Sequence, residues 1–187
     1  GATGRILRVD LTRMRWHTEQ LDEGVYRLYP GGKALAGYFM LREFVPGTDA
    51  LSPDNVLVVA NGLLTGAPVS TASRFTVAAR SPLTGAYGES EAGGYFGPEL
   101  KAAGYEAIIV TGRAVAPVYL SIRDADVEIR DAGGLWGREP EEVQTAIRAE
   151  LGDSYVRVLQ IGPGGATLVR YAAPTDELAH FNGRTGM

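Results

Sequence analysis

The residues best placed to do chemistry in this 187-residue chain are glycines and arginines in loops. Gly31-Gly32, Gly93-Gly94 with Gly97, Gly162 to Gly165, and Gly183 with Gly186 are the glycine-rich stretches. Glycine lets the backbone approach a ligand closely or take positive φ, and the exposed amides can then hold phosphate. Ser90 to Leu100 is the richest of these. Its small residues leave a strand end and enter a helix start, where unpaired N–H groups and the helix dipole favour an anion. Arg74, a strand's length earlier, can bring a bidentate charge to a phosphate or a polar ring edge, and Arg184 has the same profile. Gly162-Pro163-Gly164-Gly165 lacks the spacing of a dinucleotide loop and is expected to be a tight hairpin turn.

Self-sufficient catalysis is missing from the chain. A serine hydrolase needs a positioned base, and the only histidines are His17 and His180. His17 falls on an early hairpin and reads as an exposed strand residue. His180 lies in glycine-rich company, where a ligand role fits better. No spacing of histidine and carboxylate resembles a metal-ligand set. With no cysteine, the chain supplies no disulfide, thiolate ligand or thiol nucleophile. The net charge of −4, without a basic run, argues against a nucleic-acid partner. No apolar run is long enough for a membrane helix, and no export signal is visible, so no membrane partner and a cytoplasmic location are expected.

The elements that must position these loops follow from periodicity. Arg5 to Leu11 and Arg15 to Gln20 read as a hairpin, with a short helix from Asp22 or Glu23 and a longer one over Lys33 to Phe44. Val56 to Ala60, Phe75 to Ala79, Ala86 to Glu91, Glu106 to Thr111, Val118 to Arg123 and Val127 to Arg130 read as strands. A helix begins near Pro98, and Glu139 to Leu151 is a second, with Pro140 at a first-turn position and one apolar face. Val156 to Ile161 and Thr167 to Ala173 would flank the Gly162 turn as a hairpin. The fold class is α+β, with packed or mixed β-sheets and three or four interspersed helices. Leu63-Leu64-Thr65-Gly66 and Ser81-Pro82-Leu83-Thr84-Gly85 echo each other, either as common turns or as loops for a ligand with two similar halves.

Several colinear signatures together resemble the N-terminal domain of the aldehyde:ferredoxin oxidoreductase family. They are Gly4 to Leu11, Gly31-Gly32-Lys33-Ala34-Leu35-Ala36, Leu51 to Asn55, Arg80 to Gly85, Gly93 to Lys101 with Ala103-Gly104-Tyr105, Ile161 to Gly165, and Asn182 to Met187. The resemblance implies a base of two β-sheets under a bis-pterin cofactor carrying tungsten or molybdenum. It also implies further domains that close over the cofactor and hold a [4Fe–4S] cluster. Carried over by position, Arg74 contacts a pterin, and Gly93, with Gly94 beside it, lies against the cofactor. Glu91 and Phe181 offer main-chain carbonyls to a magnesium ion bridging the pterin phosphates. His180, Gly183 and Arg184 fall in a second cofactor-facing loop. The family often has Asn where Glu91 stands and Arg-Ala where His180-Phe181 stand.

These implications give one expectation: residues 1–187 are a single pterin-binding N-terminal domain cut from a larger multidomain oxidoreductase and inactive alone. The whole enzyme would oxidise an aldehyde to a carboxylic acid and pass electrons to ferredoxin. A homo-oligomer is an option, since the cofactor-facing side should expose apolar surface. Two alternatives stay open at this point: a non-catalytic interaction or subunit-interface module, and a nucleotide-phosphate-binding domain.

Overall fold

The alternation of apolar residues in the first half of the chain feeds two separate cores, one on each face of a single sheet. The computed structural model describes residues 2–183. Strands β1 (Arg5–Asp10) and β2 (Arg15–Gln20) form the opening hairpin, followed by helices α1 (Glu23–Leu28) and α2 (Gly32–Glu43). Then come β3 (Leu57–Asn61), β4 (Phe75–Arg80), β5 (Tyr87–Ala92), α3 (Phe96–Ala102) and β6 (Ala107–Thr111). The six strands form one sheet in the order β2-β1-β6-β3-β4-β5. Only the β1–β6 pair is parallel.

Side chains alternate between faces along a strand. Ile6, Val58, Ala60, Ala78, Ala107 and Ile109 therefore pack with Leu35, Ala36 and Phe39 of α2. Leu7, Val59, Val77 and Ile108 pack with Phe75, Leu100 and Tyr105 on the other face. Burial on both sides explains the unbroken apolar runs of β3 and β6.

The second half adds the hairpin β7 (Val118–Arg123) and β8 (Asp126–Asp131), then helix α4 (Pro140–Leu151). Short strands β9 (Leu159–Gln160), β10 (Thr175–Asp176) and β11 (His180–Phe181) make a small sheet in the order β11-β10-β9. The hairpin expected around Gly162 does not form. Pro163 instead starts a one-turn helix, α5 (Pro163–Ala166), and the Thr167 hydroxyl donates back to the Pro163 carbonyl at 2.9 Å. Proline lacks an N–H for a ladder and its fixed φ suits a first helical position. The α+β class holds, with five helices among the described residues and sheets of six, three and two strands. The two echoing loops sit at opposite ends of β4, about 20 Å apart at strand rise.

A buried acid ties three distant segments together. Glu106 is fully buried and accepts from Tyr26 Oη at 2.7 Å, from the Thr3 backbone N–H at 2.6 Å, and from Lys101 Nζ. Burial pushes its carboxyl up, but these donors, Lys101 first, outweigh it and hold it below the ordinary carboxylate value. Burial and the adjacent carboxylate together push the Tyr26 hydroxyl well above its ordinary value.

Candidate functional site

The loop that begins β4 and the loop that leaves β5 end on the same side of the sheet, because the two strands pair antiparallel from Phe75–Ala92 to Arg80–Tyr87. Arg74 immediately precedes that first pair and Gly93 immediately follows it. The Arg74 carbonyl accepts from the Gly62 N–H and the Thr65 hydroxyl, which fixes its backbone. Its side chain is exposed and has no ion-pair or hydrogen-bond partner among the described residues.

The small sheet closes the other side. Asn182 donates Nδ2–H to the Ser90 carbonyl at 3.2 Å, which sets β11 beside β5. A concavity of about 440 Å³ results, lined by Arg74, Glu91, Gly93, Gly94, His180 and Phe181 together with Thr71, Ser73, Ala92 and Ala179. Gly183 packs next to Ser90 and is not part of that lining. Arg184 lies outside the described residues. His17 is exposed on β2, paired across from Arg8 and remote from this concavity.

The helix start behind Gly93-Gly94 differs from the expected phosphate site. The Tyr95 and Phe96 amides both donate to Asp176 Oδ2, at 2.8 and 3.0 Å. A protein carboxylate thus already fills the place where an anion was expected, as the dipole and free N–H groups would favour. Burial pushes the Asp176 carboxyl above its ordinary range, in spite of the Phe96 and Tyr95 amides. Its neighbour Glu177 accepts from Arg148 at 2.6 Å and Arg157 at 3.1 Å, and the Arg157 guanidinium lies 4.4 Å from the Tyr95 ring centroid. Gly94 sits between these parts at φ +101°. A Cβ there would lie 2.1 Å from Asp176 Oδ2 and 3.0 Å from His180 Nδ1.

Residues 6–187 match the family described as aldehyde ferredoxin oxidoreductase, N-terminal domain. The chain belongs to this family. Tungsten-containing aldehyde ferredoxin oxidoreductases of Pyrococcus furiosus and Pyrococcus abyssi are each 43% identical over the whole chain, which spans 31% of their length. An aliphatic sulfonate oxidoreductase, WOR-like subunit, of Pyrococcus furiosus is 33% identical over 98% of the chain and 31% of its own length. Among solved structures, the active-site complex BamBC of benzoyl coenzyme A reductase, with bound 1,5-dienoyl-CoA, matches at TM-score 0.96 and 36% identity. That match covers 99% of this chain and 28% of the other.

Within this aldehyde ferredoxin oxidoreductase N-terminal domain, Asp176 is the site residue that sequence reasoning missed. Its partners Tyr95 and Phe96 are 81 and 80 positions away, and no local motif marks a carboxylate that bonds so far along the chain. Ser73 and Thr71 were also missed, although adjacency to Arg74 was a usable signal. Among the described residues no three His, Cys, Asp or Glu side chains gather as a metal set, and no helix is long and apolar enough to cross a membrane.

Proposed function

We propose that this chain is the base on which the bis-pterin cofactor of a tungsten- or molybdenum-dependent oxidoreductase rests. The carrying observation is that Arg74, Glu91, Gly93, Gly94, His180 and Phe181, drawn from three chain segments, line one concavity. The donor set fits an anionic, ring-bearing ligand. The Arg74 guanidinium is free to pair with a phosphate or a ring edge, and the two glycines leave bare backbone beside it. Asp176 Oδ1 and His180 Nδ1 are buried without hydrogen-bond partners. Such orphaned atoms cost about 1–3 kcal/mol each unless a ligand or ordered water reaches them. Magnesium would be held by the Glu91 and Phe181 carbonyls and by cofactor phosphates, since among the described residues no His, Cys, Asp and Glu side chains cluster to do it.

When bound, the cofactor supplies two-electron redox chemistry, and this chain supplies binding, orientation and exclusion of water. The whole enzyme, by likeness to its relatives, takes an aldehyde and water to a carboxylic acid, releasing two protons and two electrons. Ferredoxin accepts the electrons through a [4Fe–4S] cluster held by the remaining polypeptide. The relatives' names point to different compounds although they share this domain, which supports a common role such as holding the cofactor and leaves substrate choice to the rest of each enzyme. A pure interaction module would not need an unpaired arginine beside two bare glycines.

Arg74→Ala in the full-length enzyme tests this reading. Loss of a hydrogen bond to a charged group costs about 1.5–3 kcal/mol, roughly 10- to 150-fold in affinity. Tungsten and pterin content per polypeptide should fall accordingly. Stability of the cofactor-free protein should stay within about 0.5 kcal/mol, because the side chain is exposed. A variant that keeps wild-type pterin content would sink the proposal.

A further inference from the structure

Asp176 is fully buried at the junction of two pocket walls. On one side its Oδ2 accepts the Tyr95 and Phe96 amides, the first residues after the Gly93-Gly94 turn. On the other it is the direct cross-strand partner of His180 in the β10–β11 pair. The His180 ring runs along both glycines: Cβ atoms added at Gly93 and Gly94 would meet its Cδ2 at 3.8 Å and its Nδ1 at 3.0 Å. Asp176 Oδ1 and His180 Nδ1 are both buried without a hydrogen-bond partner, as are Thr175 Oγ1 and Asn182 Oδ1 of the same neighbourhood. Cross-strand neighbours on one face of an antiparallel pair stand close enough for each side chain to limit the other's orientation.

We propose that Asp176 is a positioning residue for the cofactor pocket: one carboxylate oxygen clamps the Gly93-Gly94 turn, and the β10–β11 pairing sets the same side chain beside His180, whose ring lines the pocket. The inference rests on the cofactor-base reading. It adds that the place of the His180 ring in the pocket wall depends on Asp176, its cross-strand partner. Glu177 reinforces the same strand from outside through Arg148 and Arg157, so the β10–β11 unit is held on both of its sides.

The experiment uses the full-length holoenzyme with Asp176→Ala, Asp176→Asn, His180→Asn and the Asp176→Ala/His180→Asn double variant. Pterin release is followed by the fluorescence of its oxidised form, and amide exchange is followed over residues 93–97. Asp176→Ala strands the Tyr95 and Phe96 amides and should speed release about 10- to 150-fold, the loss expected when a hydrogen bond to a charged group is removed. Asp176→Asn keeps an acceptor for both amides and should restore exchange protection and most of the retention. The double variant should release pterin no more than about twofold faster than Asp176→Ala alone, because residues acting through one another are non-additive. Multiplying effects, or a fall in melting temperature in Asp176→Ala with unchanged release, would overturn the proposal. Should Arg74→Ala hold pterin as well as wild type, the cofactor-base reading fails. The clamp is then judged by exchange alone, and unchanged protection at Tyr95 and Phe96 in Asp176→Ala would refute it.

Discussion

Gly94→Ala is expected to empty the proposed cofactor pocket and to destabilise the domain by about 3 kcal/mol or more. Two costs combine at this position. Holding a non-glycine residue in a sparsely populated backbone region such as φ +101° costs about 1–3 kcal/mol. The added methyl would also lie 2.1 Å from Asp176 Oδ2, so the carboxylate must leave the Tyr95 and Phe96 amides. Each buried donor stranded in this way costs a further 1–3 kcal/mol or so. Gly85→Ala separates the two contributions. Gly85 has φ +72° but open space where a Cβ would go, so only backbone strain is expected there, with pterin content unchanged. Thermal unfolding and tungsten content of the two variants check the claim. Equal effects at both glycines would show that the packing against Asp176 and His180 does not matter.

The second large effect is expected at Glu106. Glu106→Ala leaves the Lys101 ammonium, whose side chain is only 11% exposed, without its partner. It also strips the acceptor from Tyr26 Oη and the Thr3 amide. Breaking a buried pair from one side costs about 3–5 kcal/mol, much of it the uncompensated charge. Glu106→Gln keeps an acceptor and should cost less. The pH dependence has a definite sign. The folded-state pKa of Glu106 is depressed, so its contribution is fully present above the ordinary value of 4.5 and is lost as pH falls through the folded value. Denaturant titrations should show a constant gap between wild type and Glu106→Gln from about pH 6 to 8. That gap should close in acid below about pH 4.5. A gap that widens in acid would mean that Glu106 is not stabilised as a carboxylate.

The strands of the six-stranded sheet, though not their joining into one sheet, were legible in the sequence because burial leaves a period in the residues. Val58 and Ala60 face one core while Val59 faces the other, and the run Val56 to Ala60 carries that double burial openly. Helix α4 was legible for the same reason, with Pro140 marking its start, and the structure ends it on Gly152 in the left-handed region. The small sheet was not. Two-residue strands such as Leu159–Gln160 and Thr175–Asp176 are too short to show alternation, and their pairing is set by tertiary contacts. The glycine loops and Arg74 could be found because glycine and an unpaired arginine have local meanings. Asp176 and Glu106 could not, since a carboxylate looks the same in sequence whether it faces water or closes a network over eighty or a hundred residues.

The place of β6 in the sheet has a kinetic consequence. It inserts between β1 and β3, so the N-terminal hairpin and the β3-β4-β5 meander cannot join until residue 111 has been made. Until then both sub-sheets present open edges with apolar faces. Contacts between segments a hundred residues apart close slowly, because the loop entropy must be overcome before the contacts form. Folding of this domain is therefore gated late in its synthesis. A chain stalled between Ala92 and Ala107 would expose two unpaired edges, the condition in which strands recruit neighbouring chains and aggregate.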